Sequence, residues 1–123
     1  VVGAIYSCLD EFNVDMYIGI GGAPEGVLAA AAIKCFDGQF QGRLVISNND
    51  EKLRATKLGI SDFSKKYYLN DMVKGDVIFC AAGVTDGELL KGIEISKNFF
   101  TSEILSLHSK EKIIKKYQEK IEI

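Results

Sequence analysis

A glycine-rich corner is the part of the sequence whose residue types and spacing are best suited to chemistry. Gly19, Gly21 and Gly22 are followed directly by Ala23-Pro24 and then by Glu25. Glycines let a backbone approach a ligand because no β-carbon stands in the way. If a helix begins here, its free N–H groups and partial positive charge make a cradle for phosphate. The pattern therefore indicates a site for a phosphorylated ligand at the start of a helix.

Glu25 adds a charged oxygen ligand to this corner. Carboxylate oxygens are the ligands that hard cations such as Mg²⁺ and Mn²⁺ prefer. A carboxylate beside a phosphate cradle therefore predicts a bridged arrangement of protein carboxylate, metal and phosphate. From the residues alone, an ordinary helix start in which Glu25 stabilises the helix dipole is the simpler interpretation. The corner is not a dinucleotide-binding fingerprint, since no glycine stands three residues after Gly21.

The elements on either side must position this corner. Residues 14–20 are short, apolar and partly β-branched, which predicts a buried strand running into the glycines. Pro24 suits the first helical position, and the alanine-rich stretch 25–36 has high helix propensity. Apolar residues recur at helical spacing in residues 1–12, so this stretch predicts an amphipathic helix. The helix begins at the first residue of the chain, which does not start with Met, so we expect an amino-terminal part to be missing.

Strands and helices alternate through the rest of the chain, which indicates an α/β layered fold. Residues 112–123 are ambiguous, because their Lys and Glu content favours a helix while their place after a turn favours a hairpin strand; we predict a strand. The remaining predicted elements are an extended segment at 40–46, a helix at 51–58, short strands and turns at 67–73, a buried strand at 76–84, a helical turn at 88–91 and a strand at 99–108.

Length and composition limit the classes of protein. The 123 residues fit a single domain, and 15 basic against 17 acidic residues give a net charge of −2, unlike a nucleic-acid binder. The longest apolar stretch, 27–33, is too short to span a bilayer. Cys8, Cys35 and Cys80 are far apart without CxxC spacing, which favours buried thiols in a reducing cytoplasm.

Three segments of the chain carry a family resemblance. Residues 17–44, which include GGAPEG, together with 76–93 and 101–110, closely resemble the class II fructose-1,6-bisphosphatases of the lithium-sensitive sugar phosphatase superfamily. The match runs nearly end to end, but it covers the carboxy-terminal third or so of a family member. The resemblance implies a layered mixed sheet with flanking helices, one half of a two-domain sugar-phosphatase fold, with residues 1–123 as a single carboxy-terminal domain.

The resemblance also implies an activity, the hydrolysis of the 1-phosphate of fructose 1,6-bisphosphate with Mn²⁺ or Mg²⁺. Sedoheptulose 1,7-bisphosphate is a second possible substrate. Glu25 resembles the metal-binding carboxylate of this region, and Gly22 resembles a backbone contact to the substrate, with Gly21 and Ala23 as its neighbours. The other acidic ligands belong to the absent amino-terminal part. We therefore expect this chain to be inactive alone and to need that part as its partner.

Other residues admit two interpretations each. Arg43 could bind a phosphate through its planar guanidinium or form a surface ion pair. Thr85 and Asp86 could line the same edge as Glu25, although capping a short helix is the simpler role. His108 is the only histidine and has no Cys or His nearby in the sequence, so a metal role is disfavoured.

Two broader expectations complete the prediction. Truncation should expose an apolar face, most simply on the helix bearing Val1, Ile5 and Phe12, and a homo-oligomer would cover it again. The rival to the phosphatase is a non-catalytic α/β module that binds a small phosphorylated ligand and needs no metal.

Overall fold

The computed structural model describes residues 1–122. A short 3₁₀ turn, Asp10–Phe12, follows the first helix. The elements in chain order are α1 (Val2–Tyr6), α2 (Ala23–Cys35), β1 (Gln41–Gly42), α3 (Asn49–Lys57), β2 (Tyr67–Tyr68), α4 (Leu69–Met72), β3 (Ile78–Ala82), β4 (Glu94–Ile95), β5 (Phe99–His108) and β6 (Ile113–Glu122).

The main sheet is built around β5. One edge of β5 pairs along its whole length with β6, and the other edge is shared by β3 and β4. All of these pairs are antiparallel, as is the small separate pair of β1 and β2. The α/β class with flanking helices is confirmed. The hairpin at the end of the chain is confirmed as well, except for Ile123, which lies outside the described residues.

Helix α2 packs against one face of this sheet and forms the core with it. Ala32 and Cys35 on α2 meet Phe79 on β3 and Leu105 and Leu107 on β5, and all five side chains are buried. Alanines give α2 a nearly flat surface, so the helix can approach the strands closely. Part of the alanine run that predicted the helix therefore also packs against the sheet.

Helix α1 does not continue to residue 12 as predicted. Leu9 has an extended backbone, with φ −122° and ψ 114°, so the helix stops after Tyr6 and a 3₁₀ turn follows. Ile5 is 1% exposed and packs into the core, while the ring of Phe12 stacks on Tyr6 with centroids 4.2 Å apart. The prediction of an exposed apolar face on this helix is therefore wrong for Ile5 and Phe12.

The strand predicted at residues 14–20 is wrong. No regular structure forms there, and Met16, Ile18 and Ile20 are 71%, 81% and 88% exposed. Strand propensity reflects packing and pairing with neighbours more than any intrinsic backbone preference. Within residues 1–122 no strand pairs with this segment. The exposed apolar surface of the chain thus includes this segment, which leads directly into the glycine corner.

The loop between β3 and β4 replaces the predicted helical turn at 88–91. Asp86 Oδ1 accepts a hydrogen bond from the Gly92 N–H at 3.0 Å, and the Gly87 N–H donates to the Leu90 carbonyl. The loop folds back on itself so that Leu89 and Leu90 are buried in the core. Asp86 therefore closes a loop instead of capping a helix.

Helix α3 is capped by the side chain of Asn48. Asn48 Oδ1 accepts a hydrogen bond from the Glu51 N–H at 2.9 Å, and Glu51 Oε2 accepts one from the Ser47 N–H at 2.7 Å. These two bonds satisfy backbone donors at the start of α3. Gly59, with a φ of 83°, follows the end of this helix, where a left-handed backbone favours glycine.

The three cysteines differ in exposure, and only Cys35 is fully buried as predicted. Cys35 is buried and Cys8 is half-buried, but Cys80 is exposed on β3, so the prediction of a buried thiol is wrong there. Cys80 points to the face of the sheet opposite α2, which nothing within residues 1–122 covers fully.

Within residues 1–122, no helix has the length and apolar character needed to cross a membrane.

Candidate functional site

The corner is built where an irregular segment meets α2. Gly22 is the N-cap residue, with φ −65° and ψ 152°, and its carbonyl accepts the first helical hydrogen bond from the Gly26 N–H at 3.0 Å. Pro24 lies in the first turn, where a missing N–H removes no helical bond. The helix therefore begins at Ala23, one residue before Pro24, which was predicted as the first helical position.

The side chain of Glu25 folds back over Gly22. A β-carbon built on Gly22 would overlap Glu25 Oε2, so the carboxylate lies in the space that only glycine leaves open. The backbone angles of Gly22 are extended and open to any residue. A larger residue at this position would displace the flexible end of Glu25, while the backbone conformation itself would accept it.

The first turn of α2 is open to a ligand. No side chain of residues 1–122 caps it, and Gly21, Gly22, Ala23 and Glu25 are all exposed. The N–H groups of a first helical turn have no partner within the helix and carry a partial positive charge. Glu25 makes no hydrogen bond or ion pair in the described chain. A negatively charged carboxylate, which could ligate a cation, therefore lies beside N–H groups that could donate hydrogen bonds to an anion.

The predicted site residues are not all brought together. Gly21, Gly22, Ala23 and Glu25 are contiguous at the corner. Arg43 is exposed just after β1, and within residues 1–122 it forms no hydrogen bond or ion pair with residues 21–25. The local sequence thus assembles the glycines and the carboxylate, while the contacts of the described chain do not join Arg43 to them.

Comparison with known proteins gives the family. Residues 1–121 match the model for the bacterial fructose-1,6-bisphosphatases encoded by glpX. The chain belongs to this family. The class 2 fructose-1,6-bisphosphatase of Haemophilus influenzae is 37% identical over 96% of this chain, and fructose-1,6-bisphosphatase 1 class 2 of Escherichia coli K12 is 39% identical over 96%. The chain spans 39% of the length of each of these relatives.

Family membership indicates which reaction the glycine corner should be compared with. Bacterial fructose-1,6-bisphosphatases are phosphoric monoester hydrolases and depend on a metal ion. A carboxylate is the appropriate donor for a hard cation, and the Glu25 carboxylate is free to act as one. Within residues 1–122, no three His, Cys, Asp or Glu side chains are grouped as a metal site. The corner therefore fits one oxygen ligand of such a site and not a complete coordination shell.

His108 and Tyr17 have structural contacts. His108 Nδ1 lies 3.1 Å from Glu111 Oε2, and its Nε2 lies 3.4 Å from Ser106 Oγ, so both ring nitrogens have a neighbour within the hairpin.

Tyr17 is a residue to which the sequence pattern gave no role. Its ring lies against Gly3 and its hydroxyl against Gly19, in the space where β-carbons would stand. Tyr17 thereby holds the segment before the corner against α1.

Proposed function

We propose that this chain is the carboxy-terminal domain, residues 1–123, of an enzyme that hydrolyses the 1-phosphate of fructose 1,6-bisphosphate. The observation that carries the proposal is the Glu25 carboxylate lying over Gly22 at the uncapped first turn of α2. The family match supports the same activity, because the relatives are named fructose-1,6-bisphosphatases. A cytoplasmic location and sedoheptulose 1,7-bisphosphate as a second substrate belong to the same proposal.

In this proposal each corner residue has a separate task. Glu25 would hold one Mn²⁺ or Mg²⁺, which when bound supplies an activated water and stabilises negative charge on the phosphate. The N–H groups at Gly22 and Ala23 would donate to phosphate oxygens, aided by the positive end of α2. Gly21, which has nothing within 4 Å of a β-carbon position, leaves room for the substrate. Arg43 would have to reach the phosphate from outside this corner.

The remaining ligands and the water-activating group would come from amino-terminal residues of the same enzyme. The relatives extend well beyond the matched region, since this chain spans 39% of their length. We infer that the exposed residues 14–20 pack against that part. Their apolar side chains, which are exposed in this chain, are then covered. That contact would also fix Gly21 and Gly22, because they follow residue 20 directly.

The isolated chain offers the first experiment. We expect no turnover of fructose 1,6-bisphosphate above background at saturating Mn²⁺, because one carboxylate is too few protein ligands for a catalytic metal centre. The full-length enzyme assayed in parallel should turn over with a requirement for a divalent cation. Robust turnover by the isolated chain would contradict the proposal that amino-terminal residues supply the remaining metal ligands and the water-activating group. Phosphate-ligand binding that is unchanged by chelator in the full-length protein, without turnover, would favour the non-catalytic binding module instead.

A further inference from the structure

The ring of Tyr17 lies against two glycines from different parts of the chain. A β-carbon built on Gly3 would stand 2.6 Å from Tyr17 Cε2, and one built on Gly19 would stand 2.8 Å from Tyr17 Oη. Both distances are shorter than real β-carbon contacts, so a side chain at either position would have to displace the ring. Neither glycine has a positive φ, so both backbones would accept other residues. The two glycines therefore make room for Tyr17.

Gly3 belongs to a helix that is fixed in the core. On α1, Ala4 is 4% exposed and packs with Ala29 and Ile33 of α2, and Ile5 is 1% exposed. Moving α1 relative to α2 would open these buried apolar contacts, which is costly in a closely packed interior. A residue that is held against α1 is therefore held in place relative to α2 as well.

Gly19 connects this contact to the glycine corner. It stands three residues before Gly22, the N-cap of α2. Three residues span at most about 10 Å, so fixing Gly19 limits the positions that the backbone of Gly21 and Gly22 can reach. The corner is thus held at both ends, by α2 after it and by the ring of Tyr17 before it.

We propose that Tyr17 is a positioning residue for phosphate binding, which acts through Gly19 on the backbone N–H groups of the corner. The inference rests on the proposed function in taking phosphate as the ligand of these groups. Donors in a binding site must be held within roughly 0.5 Å of their working geometry. Without the ring, Gly19 is released from α1 and the N–H groups lose that precision. Glu25 lies on α2 itself, so its position does not depend on Tyr17 in the same way.

Phosphate binding by the full-length enzyme tests the proposal, with inorganic phosphate as the probe and isothermal titration calorimetry in the presence of Mg²⁺. Tyr17→Ala should weaken binding about tenfold or more, because a displacement of about 1 Å can cost up to 10²-fold. Tyr17→Phe keeps the ring and should bind within about twofold of the unmodified enzyme. Tyr68→Ala is the control, because Tyr68 is 55% exposed, Tyr17 is 53% exposed, and Tyr68 lies on β2. Normal binding by Tyr17→Ala would overturn the proposal, and so would an equal loss in Tyr17→Phe, which would assign the effect to the hydroxyl.

Gly3→Ala tests the contact while the ring is still present. Alanine favours a helix over glycine, so α1 itself should be no less stable, but the added methyl group displaces Tyr17. Gly3→Ala should therefore weaken phosphate binding in the otherwise unmodified enzyme and have no further effect in a Tyr17→Ala background. Such non-additivity is expected of two residues that act through one contact. Equal losses in the two backgrounds would contradict the proposal. Circular dichroism and thermal unfolding confirm that each variant is folded.

Steady-state kinetics separate this inference from the proposed function. In the active enzyme, Tyr17→Ala should raise the KM for fructose 1,6-bisphosphate about tenfold or more, with a smaller change in kcat, because the N–H groups bind phosphate in the substrate and in the transition state alike. The Mn²⁺ concentration that gives half the maximal rate should stay within about twofold. A shift in Mn²⁺ dependence as large as that in KM would mean that Tyr17 supports the whole site and would overturn the specific role.

Two further outcomes distinguish the claims. A full-length protein that binds phosphate with this dependence on Tyr17 but does not hydrolyse fructose 1,6-bisphosphate would refute the proposed function and support the positioning role. A full-length protein that hydrolyses fructose 1,6-bisphosphate, with a Tyr17→Ala variant of unchanged KM and unchanged phosphate affinity, would refute the positioning role alone. Absence of phosphate binding by the unmodified protein would refute both.

Discussion

The Glu25 carboxylate lies against Gly22, in the space that a β-carbon on Gly22 would fill. The backbone of Gly22 is in an ordinary extended conformation, so the effect of a larger residue here would be to displace the Glu25 carboxylate. This contact places a carboxylate oxygen of Glu25, which could ligate a cation, directly over the N-cap of α2. The glycine and the glutamate of the GGAPEG motif therefore act as one unit.

Gly22→Ala should damage the site without damaging the fold. The added methyl group displaces the flexible end of Glu25, so we expect the full-length enzyme to lose about tenfold or more in kcat/KM and to require more Mn²⁺. The free energy of unfolding should change by less than about 1 kcal/mol, since the position is an exposed N-cap. Gly26→Ala is the matched control, because nothing lies within 4 Å of a β-carbon there. Equal losses of activity in both variants would contradict this role.

Gly83→Ala should show the opposite pattern. A β-carbon on Gly83 would overlap the Lys91 carbonyl, which is backbone and cannot rotate away. We expect the free energy of unfolding to fall by about 1–3 kcal/mol, as for other overpacked sites. Urea denaturation of the chain measures it. Gly87→Ala is the control, because its nearest contact is an ordinary 3.6 Å from the Leu90 carbonyl. A Gly83→Ala variant as stable as this control would contradict the close approach of the Lys91 carbonyl to Gly83.

The order of thiol alkylation should follow exposure and pKa. Burial raises the pKa of Cys35 and of Cys8, so at a given pH less of each is thiolate, which is the reactive form. Cys80 is exposed. With iodoacetamide near pH 8, Cys80 should react first because it is exposed, and raising the pH should speed the reactions of Cys8 and Cys35. Mass spectrometry of the modified peptides gives the order. In urea the differences should vanish, and uniform rates in the folded chain would contradict the structure.

Local signals predicted the helix that follows the corner and the terminal hairpin, but not the segment that precedes the corner. Helix α2 follows from its alanines and Pro24, and the β5–β6 hairpin follows from alternation and a turn. Residues 14–20 were predicted as a strand because they are apolar, but a strand needs a partner and none is present within the described residues. At Asp86, local capping chemistry was outweighed by the burial of Leu89 and Leu90, which draws the loop back into the core. Such long-range contacts leave no local signal in the sequence.

The same limit applies to the site. The glycines and Glu25 are adjacent in sequence, so their meeting could be predicted, together with the exposure of Glu25. The closeness of Glu25 to Gly22 could not, because it depends on the side-chain rotamer. Arg43 lies beyond the end of α2, and its position depends on the fold of the intervening chain.

The rate of the Glu25→Gln variant at varied Mn²⁺ concentration tests the central claim most directly. The substitution keeps the size of the side chain and removes its charge, and a neutral amide is a poorer ligand for a hard cation. We expect the full-length enzyme to lose about two or more powers of ten in turnover, with its Mn²⁺ dependence shifted to higher concentration. Thermal unfolding should report a change of only about 1 kcal/mol. Glu11→Gln, an exposed position away from the corner, is the control. A Glu25→Gln enzyme with normal turnover and normal metal dependence would remove Glu25 from the site.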